Sequence, residues 1–292
     1  MPGTVRPASD PRVAIVTVAY RSDDVLPGLL HSVPTATTLP VTTIVADNSP
    51  DEGRAAQIAA DFGARYLAVP GNPGYGGAVN AATAGLPASV EWIVVVNPDV
   101  VLAPGSIDAL VTTGEGDDHI GAVGPHVVNE DGSTYPSARA IPSLRTGIGH
   151  ALFSRLWAAN PWTRRYRDDR APVDVRRDAG WLSGSCVVVR RRAFDELGGF
   201  DDGYFMYFED VDLGYRLGQR GYRNVYEPAA QAIHAGAHST SGESARMLRA
   251  HHASARRFLT RKYSGWWLWP VRVVVTAGLG VRSAITTRRA RD

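Results

Sequence analysis

Residues 91–100 read EWIVVVNPDV. Five consecutive apolar residues, most of them β-branched, are what a strand carries when both faces of its sheet are covered. The run stops at Asn97-Pro98-Asp99, so this strand ends on polar side chains. The same pattern repeats upstream. RVAIVTVAY (12–20) and VTTIVADNS (41–49) are apolar strands with polar ends, and ARYLAVP (64–70) is a third. Helical stretches separate them: DDVLPGLLHSV (23–33), DEGRAAQIAADFG (51–63) with acids at its start and Gly63 at its end, and GNPGYGGAVNAATAGL (71–86), a glycine-rich turn opening a helix. Alternating strand and helix predicts an α/β fold with a mostly parallel sheet and helices on both faces. Ligands of such sheets bind outside the carboxyl ends of the strands, where Asp47, Asn97 and Asp99 fall.

Downstream the pattern changes. Residues 137–178 are rich in Arg, Pro and Trp without a clear period, and read as long mobile loops with a short helix. GWLSGSCVVVRRRAF (180–194) returns to a strand and a helix start, YFEDVDLGYRLGQRGY (207–222) is a helix ending near Gly221, RNVYEP (223–228) is a strand, and AIHAGAHSTSGES (232–244) is a polar loop. The 292 residues, 44% hydrophobic, suit one large domain with an appendage. A single cysteine, Cys186, excludes an internal disulfide and suits a reducing compartment. Residues 1–12 contain no apolar core of a secretory signal, and residues 1–11 read as a disordered N-terminus.

Charge is divided along the chain. Residues 245–292 hold ten Arg, one Lys and one acid, a net of +10, while the first 244 residues carry 20 basic and 28 acidic side chains, a net of −8. An acidic body with a basic tail points to an anionic partner, membrane surface or nucleic acid.

Each candidate site residue has a bland reading beside a chemical one. Asp47 is either a strand-end turn acid bonded to local backbone or an acceptor for a nucleotide base or ribose, and Asp51 either does the same or favours a helix N-terminus. Asn-Pro-Asp is common turn chemistry, yet a carboxylate held just beyond a buried strand is also placed to bind a hard divalent cation. The glycines of 71–77 would let backbone N–H groups approach a phosphate. As a dinucleotide fingerprint they fail, because they follow the third strand and Val79 stands where the last glycine should be. Glu209, Asp210 and Asp212 complement a helix dipole, but YFMYF (204–208) in front of them supplies a partly dry wall that raises a carboxylate toward a useful base. Helical spacing puts Asp210 and Leu213 on one face and Glu209 and Asp212 on the next, so not all three acids enter a cleft, and Asp212 reads as scaffold paired with Arg216. His234, with His238 as its competitor, is a further metal or phosphate ligand or simply structural.

In this order the motifs VTVAYRS, VADNSPDEG, GNPGYGGAVNAA, VVNPDV, GWLSGSCVVVRRRAFDELGGFDDGYFMYFEDVDLGYRL and HAGAHS resemble those of family 2 inverting glycosyltransferases of the GT-A fold. The resemblance covers about residues 12–240, is most specific over Trp181–Leu217, and is closest to the rhamnosyltransferase branch that acts on GlcNAc-diphosphoryl-polyprenol. It implies a GT-A nucleotide-diphospho-sugar transferase domain over 12–242 and a basic helical appendage over 243–292. It also implies Asp210 as catalytic base with Glu209 beside it, and Mg²⁺ or Mn²⁺ at Asp99 with His234. Asp47, Asp51, Tyr20, Asn72, Gly74, Tyr75, Gly76 and Asn97 would bind the nucleotide-sugar, and Trp181, Ser183, Gly184, Tyr207 and Phe208 would line the acceptor and sugar cleft. The implied donor is dTDP-rhamnose and the implied acceptor a polyprenyl-diphosphate-linked GlcNAc. The sequence departs from the pattern at Asn97, where the DxD motif has its first acid, and at Ala237, where glycine would follow the histidine.

A polyprenyl acceptor turns the basic tail toward an anionic membrane surface rather than nucleic acid, and the protein toward the cytoplasmic face of the cell membrane. Arg272 and Arg282 leave only nine uncharged residues between them, where a span needs ~20. The Trp-rich tail therefore reads as interfacial, or else as a helix packed on the catalytic domain or a dimer contact. Two other classes share parts of the pattern. A nucleotidyltransferase would need a basic glycine-rich loop after the first strand, where only Arg21 stands, and a non-catalytic binding protein would have no use for Asp99 and Asp210.

Overall fold

The computed structural model describes residues 10–143, 172–234, 244–270 and 273. The expected mobile loops fall largely on 144–171, and His238 and Ala237 on 235–243, outside the described residues, as do residues 1–9. Four parallel strands, β3 (Arg65–Ala68), β2 (Val41–Asp47), β1 (Val13–Ala19) and β4 (Trp92–Val96), form one half of the main sheet in that order. It continues through β11 (Cys186–Arg190), antiparallel to β4, then β6 (Ile120–Asn129), β12 (Arg223–His234) and β5 (Val100–Leu102). Only β11 and β5 oppose the common direction on this path. Short strands β7 (Thr134–Tyr135) and β9 (Arg177–Ala179) join β6 and β12, and β8 (Ala138–Arg139) pairs with β10 (Trp181–Leu182).

Every residue of β1 and β4 is buried because both faces are covered. On one face Val16, Val95 and Val187 meet α3 (Tyr75–Thr83), α5 (Arg191–Glu196) and α6 (Glu209–Gln219) through Val79, Phe194, Leu213 and Leu217. On the other, Ile15, Val94 and Val188 meet α1 (Leu26–Ala36) and α4 (Ser106–Glu115) through Leu29, Val33, Ile107 and Leu110. The short helix α2 (Ala55–Asp61) packs Ile58 and Ala59 beside Val45.

One sequence expectation is corrected. The last strand does not stop at Pro228. Proline cannot donate to a ladder, and β12 bulges between Glu227 and Gln231, then resumes pairing with β6 and with β5. Buried Glu227 supports the bulge by accepting from the Ala229 amide at 3.0 Å and the Thr113 hydroxyl at 2.9 Å. His234 therefore ends a strand opposite Val100 instead of sitting in a loop.

In the first part of the tail the alternative of a helix packed on the catalytic domain describes what is seen. Helix α7 (Ser244–Lys262) is docked on the catalytic domain, with Phe258 fully buried and Ser254 and Ala255 nearly so. A boundary at 243 divides chain segments but not packing units.

Candidate active site

The turn after β4 carries Asn97 and Asp99. The Asn97 amide donates to the Ser185 carbonyl at 2.9 Å, which ties this turn to the loop between β10 and β11. Asp99 Oδ1 is buried with no hydrogen-bond partner among the described residues, and His234 Nε2 lies 3.5 Å from it. The Tyr135 ring backs the imidazole at 5.0 Å between centroids. An orphaned carboxylate oxygen beside an imidazole nitrogen is an oxygen-and-nitrogen donor pair, and one hard divalent cation fits it. Among the described residues no group of three or more His, Cys, Asp or Glu could hold a metal, so the remaining ligands would come from a bound diphosphate and water.

Helix α6 presents its acids at its N-terminus. Tyr207 and Phe208, at φ 66° and 68°, lead into it in the left-handed region. For bulky L residues that conformation costs ~1–3 kcal/mol each and survives only where the surroundings enforce it. It turns the chain so that Asp210 stays partly open while Glu209 is 7% exposed. Asp210 Oδ2 accepts from the Gly184 amide at 3.1 Å and Oδ1 from the Val211 amide at 2.8 Å. The Tyr75 hydroxyl donates to the Gly184 carbonyl at 2.9 Å. Gly184 thus links Tyr75 to Asp210.

Burial raises the carboxyls of both acids. For Glu209 the adjacent Asp210 charge adds to burial, the Oε2 atom has no hydrogen-bond partner among the described residues, and the group is pushed up to about 8. For Asp210 the Gly184 and Val211 amides work against the rise. Tyr75 is held well above the usual phenol range by burial first, then by the charges of Glu209 and Asp210, with Asp99 a smaller contributor.

Asp47 ends β2 and is buried. Its carboxylate accepts from the Ser49 amide at 2.9 Å and from the Tyr66 hydroxyl at 3.0 Å. Burial, then Asp47, then Asp51 push the Tyr66 phenol up to about 12. Asp51 is exposed beside this pair, and Tyr20 lies on the turn after β1.

The glycine-rich turn is engaged by protein at the positions read as phosphate contacts. Gly74 sits at φ 91°, and a Cβ there would come within 2.1 Å of the Phe205 carbonyl oxygen. The Gly74 amide reaches Asn72 Oδ1 at 3.3 Å and the Tyr75 amide reaches Phe205 at 3.1 Å. Gly76 is required because Phe200 packs where a side chain would stand.

Ser183 is buried and accepts from the Ser185 amide at 3.2 Å, and the Trp181 indole donates to the Ala140 carbonyl at 3.2 Å. Phe208, read as a cleft aromatic, packs its ring on Phe258 and His251 of α7. Tyr207 also meets His251. Asp212 is fully buried and bonded to Arg216 Nε at 2.6 Å, as the scaffold reading expects. Sequence reasoning missed Tyr66, Ser185, Arg261 and the Tyr75–Gly184 bond. Tyr66 was open to inference, since β3 runs beside β2 and pairs it with Val45, two residues before Asp47 on the same face.

Polar side chains at the carboxyl ends of β2 and β4, a turn carboxylate beside a histidine, and an acid pair heading α6, on a mostly parallel sheet covered on both faces, are the arrangement of a GT-A glycosyltransferase. The chain belongs to glycosyltransferase family 2: residues 11–253 match the model described as "Glycosyltransferase like family 2". It is 44% identical over 284 residues, 94% of this chain and 92% of that protein, to the N-acetylglucosaminyl-diphospho-decaprenol L-rhamnosyltransferase of Mycobacterium tuberculosis strain H37Rv. An 82-residue stretch, 28% of the chain and 31% of the relative, is 44% identical to the rhamnosyltransferase WbbL of Escherichia coli K12.

Among solved structures, the mannosyltransferase PcManGT from Pyrobaculum calidifontis, in complex with GDP-Man and Mn²⁺, matches with TM-score 0.55 at 15% identity over 98% of this chain and 81% of its own. GalNAc-T7 with UDP, GalNAc and Mn²⁺ matches with TM-score 0.59 at 17% identity over 87% of this chain, which spans about half (48%) of that structure. At these identities the two structures speak for the fold.

Proposed function

We propose that the protein is an inverting rhamnosyltransferase that moves rhamnose from dTDP-β-L-rhamnose to a hydroxyl of a polyprenyl-diphosphate-linked GlcNAc. The observation that carries this reading is the 44% identity, over nearly the whole of both chains, to an enzyme named for that acceptor and that sugar. Asp210 accepts the proton of the acceptor hydroxyl as its oxygen bonds to the anomeric carbon. The bond from that carbon to the diphosphate breaks, and its electron pair leaves on the phosphate oxygen. Attack from the Asp210 side, opposite the leaving group, inverts the centre. Asp99 and His234 would hold Mg²⁺ or Mn²⁺, which offsets the charge that develops on the diphosphate. Asp47 and Tyr66 close the nucleoside end. Transfer assays with dTDP-rhamnose and a panel of UDP-sugars test the donor. Turnover confined to UDP-sugars would reassign the enzyme to another cell-surface glycan, and no donor cleavage at all would overturn the catalytic reading.

Activity is expected to depend on Mg²⁺ or Mn²⁺, and Asp99→Ala to lose tight donor binding, measured by titration calorimetry with and without metal. Full activity after exhaustive chelation would leave Asp99 as a turn residue.

We also propose peripheral binding to the cytoplasmic face of the membrane through the segment after α7. Trp266, Trp267 and Trp269 are 79%, 65% and 59% exposed, and Trp at that exposure favours the headgroup region. No described helix is long and apolar enough to cross a membrane. Arg257, Arg261 and Lys262 are engaged by the body through Asp201, Asp212 and the Pro142 carbonyl, so fewer tail charges face lipid than the net of +10 suggests. Each that does is worth ~1 kcal/mol, less in salt. The protein is expected to float with anionic liposomes, to be partly released by high salt, and to stay soluble when cut after Ser264, which retains all of α7. The cut form should still use a short water-soluble acceptor. Equal flotation of both forms would remove the tail from the membrane reading.

A further inference from the structure

We propose that α7 is a positioning element for the catalytic pair, with Arg261 its principal contact. This rests on the reading of Asp210 as the base. The residues that α7 touches are the run that sets up the acids. The Ser254 hydroxyl donates to the Met206 carbonyl at 2.8 Å. His251 lies edge-on to the rings of Tyr207 and Phe208 at 5.5 and 5.4 Å, and Phe258 stacks at a tilt against Phe208 at 5.8 Å. Thus each of the three residues before Glu209 takes a contact from this one helix, and two of them are the left-handed aromatics. A strained backbone persists only where its neighbours over-determine it, and here those neighbours include α7.

The ionic contacts converge on the same run. Arg261 Nη1 reaches both oxygens of fully buried Asp212, at 2.8 and 3.0 Å, while its Nη2 lies 2.6 Å from Asp201. Arg257 reaches Asp201 at 2.7 Å, and its guanidinium covers Gly203 so closely that a Cβ there would lie 2.0 Å from Cζ. The Asp212 amide in turn donates to the Phe208 carbonyl at 2.8 Å. Arg261 therefore clamps residues 201–212 at both ends, with Glu209 and Asp210 inside the clamp. Arg216 already neutralises Asp212 from within α6, so charge compensation alone does not require a second guanidinium from α7. A helix that only stabilised the fold could dock anywhere along α6, whereas this one is fastened at the turn that aims the base.

The test uses the full chain with Arg261→Gln, Arg261→Lys and Arg257→Gln, assayed well below each melting temperature. Displacing a positioned group by about 1 Å can cost ~10²-fold in rate. The expected result for Arg261→Gln is a fall of kcat by ~10-fold or more with donor KM within about twofold, since the Arg261 contacts run to Asp201 and Asp212, while Asp47 ends β2 and Asp99 follows β4. Loosening the aromatic wall should admit water to Glu209 and displace the pH–rate profile, and Arg261→Lys should restore most of the rate. If Arg261→Gln fails to fold, Arg257→Gln, which keeps the Asp212 contact, is expected to show a smaller effect of the same kind. Unchanged kcat and pH profile in folded variants overturns the proposal, as does a loss of rate that only follows the fraction unfolded. Failure of the base assignment would show separately, as retained turnover in Asp210→Asn.

Discussion

Asp210→Asn is expected to lower turnover at saturating donor by ~10²–10⁴, the usual contribution of a positioned general base, while donor affinity changes little. The geometry separates the two effects. Among the described residues Asp210 accepts from the amides of Gly184 and Val211, and it remains partly open at the head of α6. The donor-side candidates, Asp47 and Asp99, end β2 and follow β4. Asparagine keeps the shape and one acceptor oxygen but cannot take a proton. Its amide nitrogen will face a backbone N–H, so a small loss of melting temperature is expected alongside the kinetic loss. Single-turnover rates with equilibrium binding of dTDP-rhamnose measure both. Near-normal turnover in the asparagine enzyme would sink the assignment and pass the role of base to Glu209.

Much of this arrangement was legible in the residues, and the exceptions have physical causes. The strands β1 and β4 announce themselves because both faces are buried, so they are apolar at nearly every position, and β2 shows the same pattern over its second half. Asp47 and Asp99 follow directly, since a strand's end is fixed by where its apolar run stops. His234 was misplaced because Pro228 reads as a terminator, and only long-range pairing with β5 and β6 shows that the strand resumes past it. The glycines at 74 and 76 looked like a phosphate cradle. Their closest neighbours, Phe205 and Phe200, are more than a hundred residues away in sequence, so no local pattern could reveal that these glycines make room for packing. The docking of α7 was hidden for a similar reason. A basic, Trp-followed helix carries the composition of a membrane-surface element, but its buried side chains, Phe258 and Ser254, contact the aromatic stretch at 204–208. The pair Glu209–Asp210 was visible as sequence, yet their division into a buried acid and an accessible one depends on the left-handed turn at Tyr207 and Phe208.

That division makes Glu209→Gln the second large effect, and its sign follows from linkage. Burial and the Asp210 charge move Glu209 from an ordinary 4.5 to about 8. Between these values the folded protein holds a proton on the pair that the unfolded chain has released, so this group's contribution to stability falls as pH rises through that window. A single pKa unit corresponds to about 1.4 kcal/mol, so the penalty grows steadily across this window. Glutamine keeps the neutral form at every pH. The melting temperature of Glu209→Gln minus that of the parent should therefore be near zero at pH 4.5 to 5 and grow increasingly positive toward pH 8 to 9. Catalysis should separate differently. The pair titrates as a unit, with Asp210 the accessible member, so the variant should keep the acid limb of kcat/KM and lose the step near pH 8 at which the second negative charge enters the cleft. A melting difference that stays flat from pH 5 to 9 would mean that Glu209 titrates as an ordinary carboxylate, and that the aromatic wall before α6 does not keep it dry.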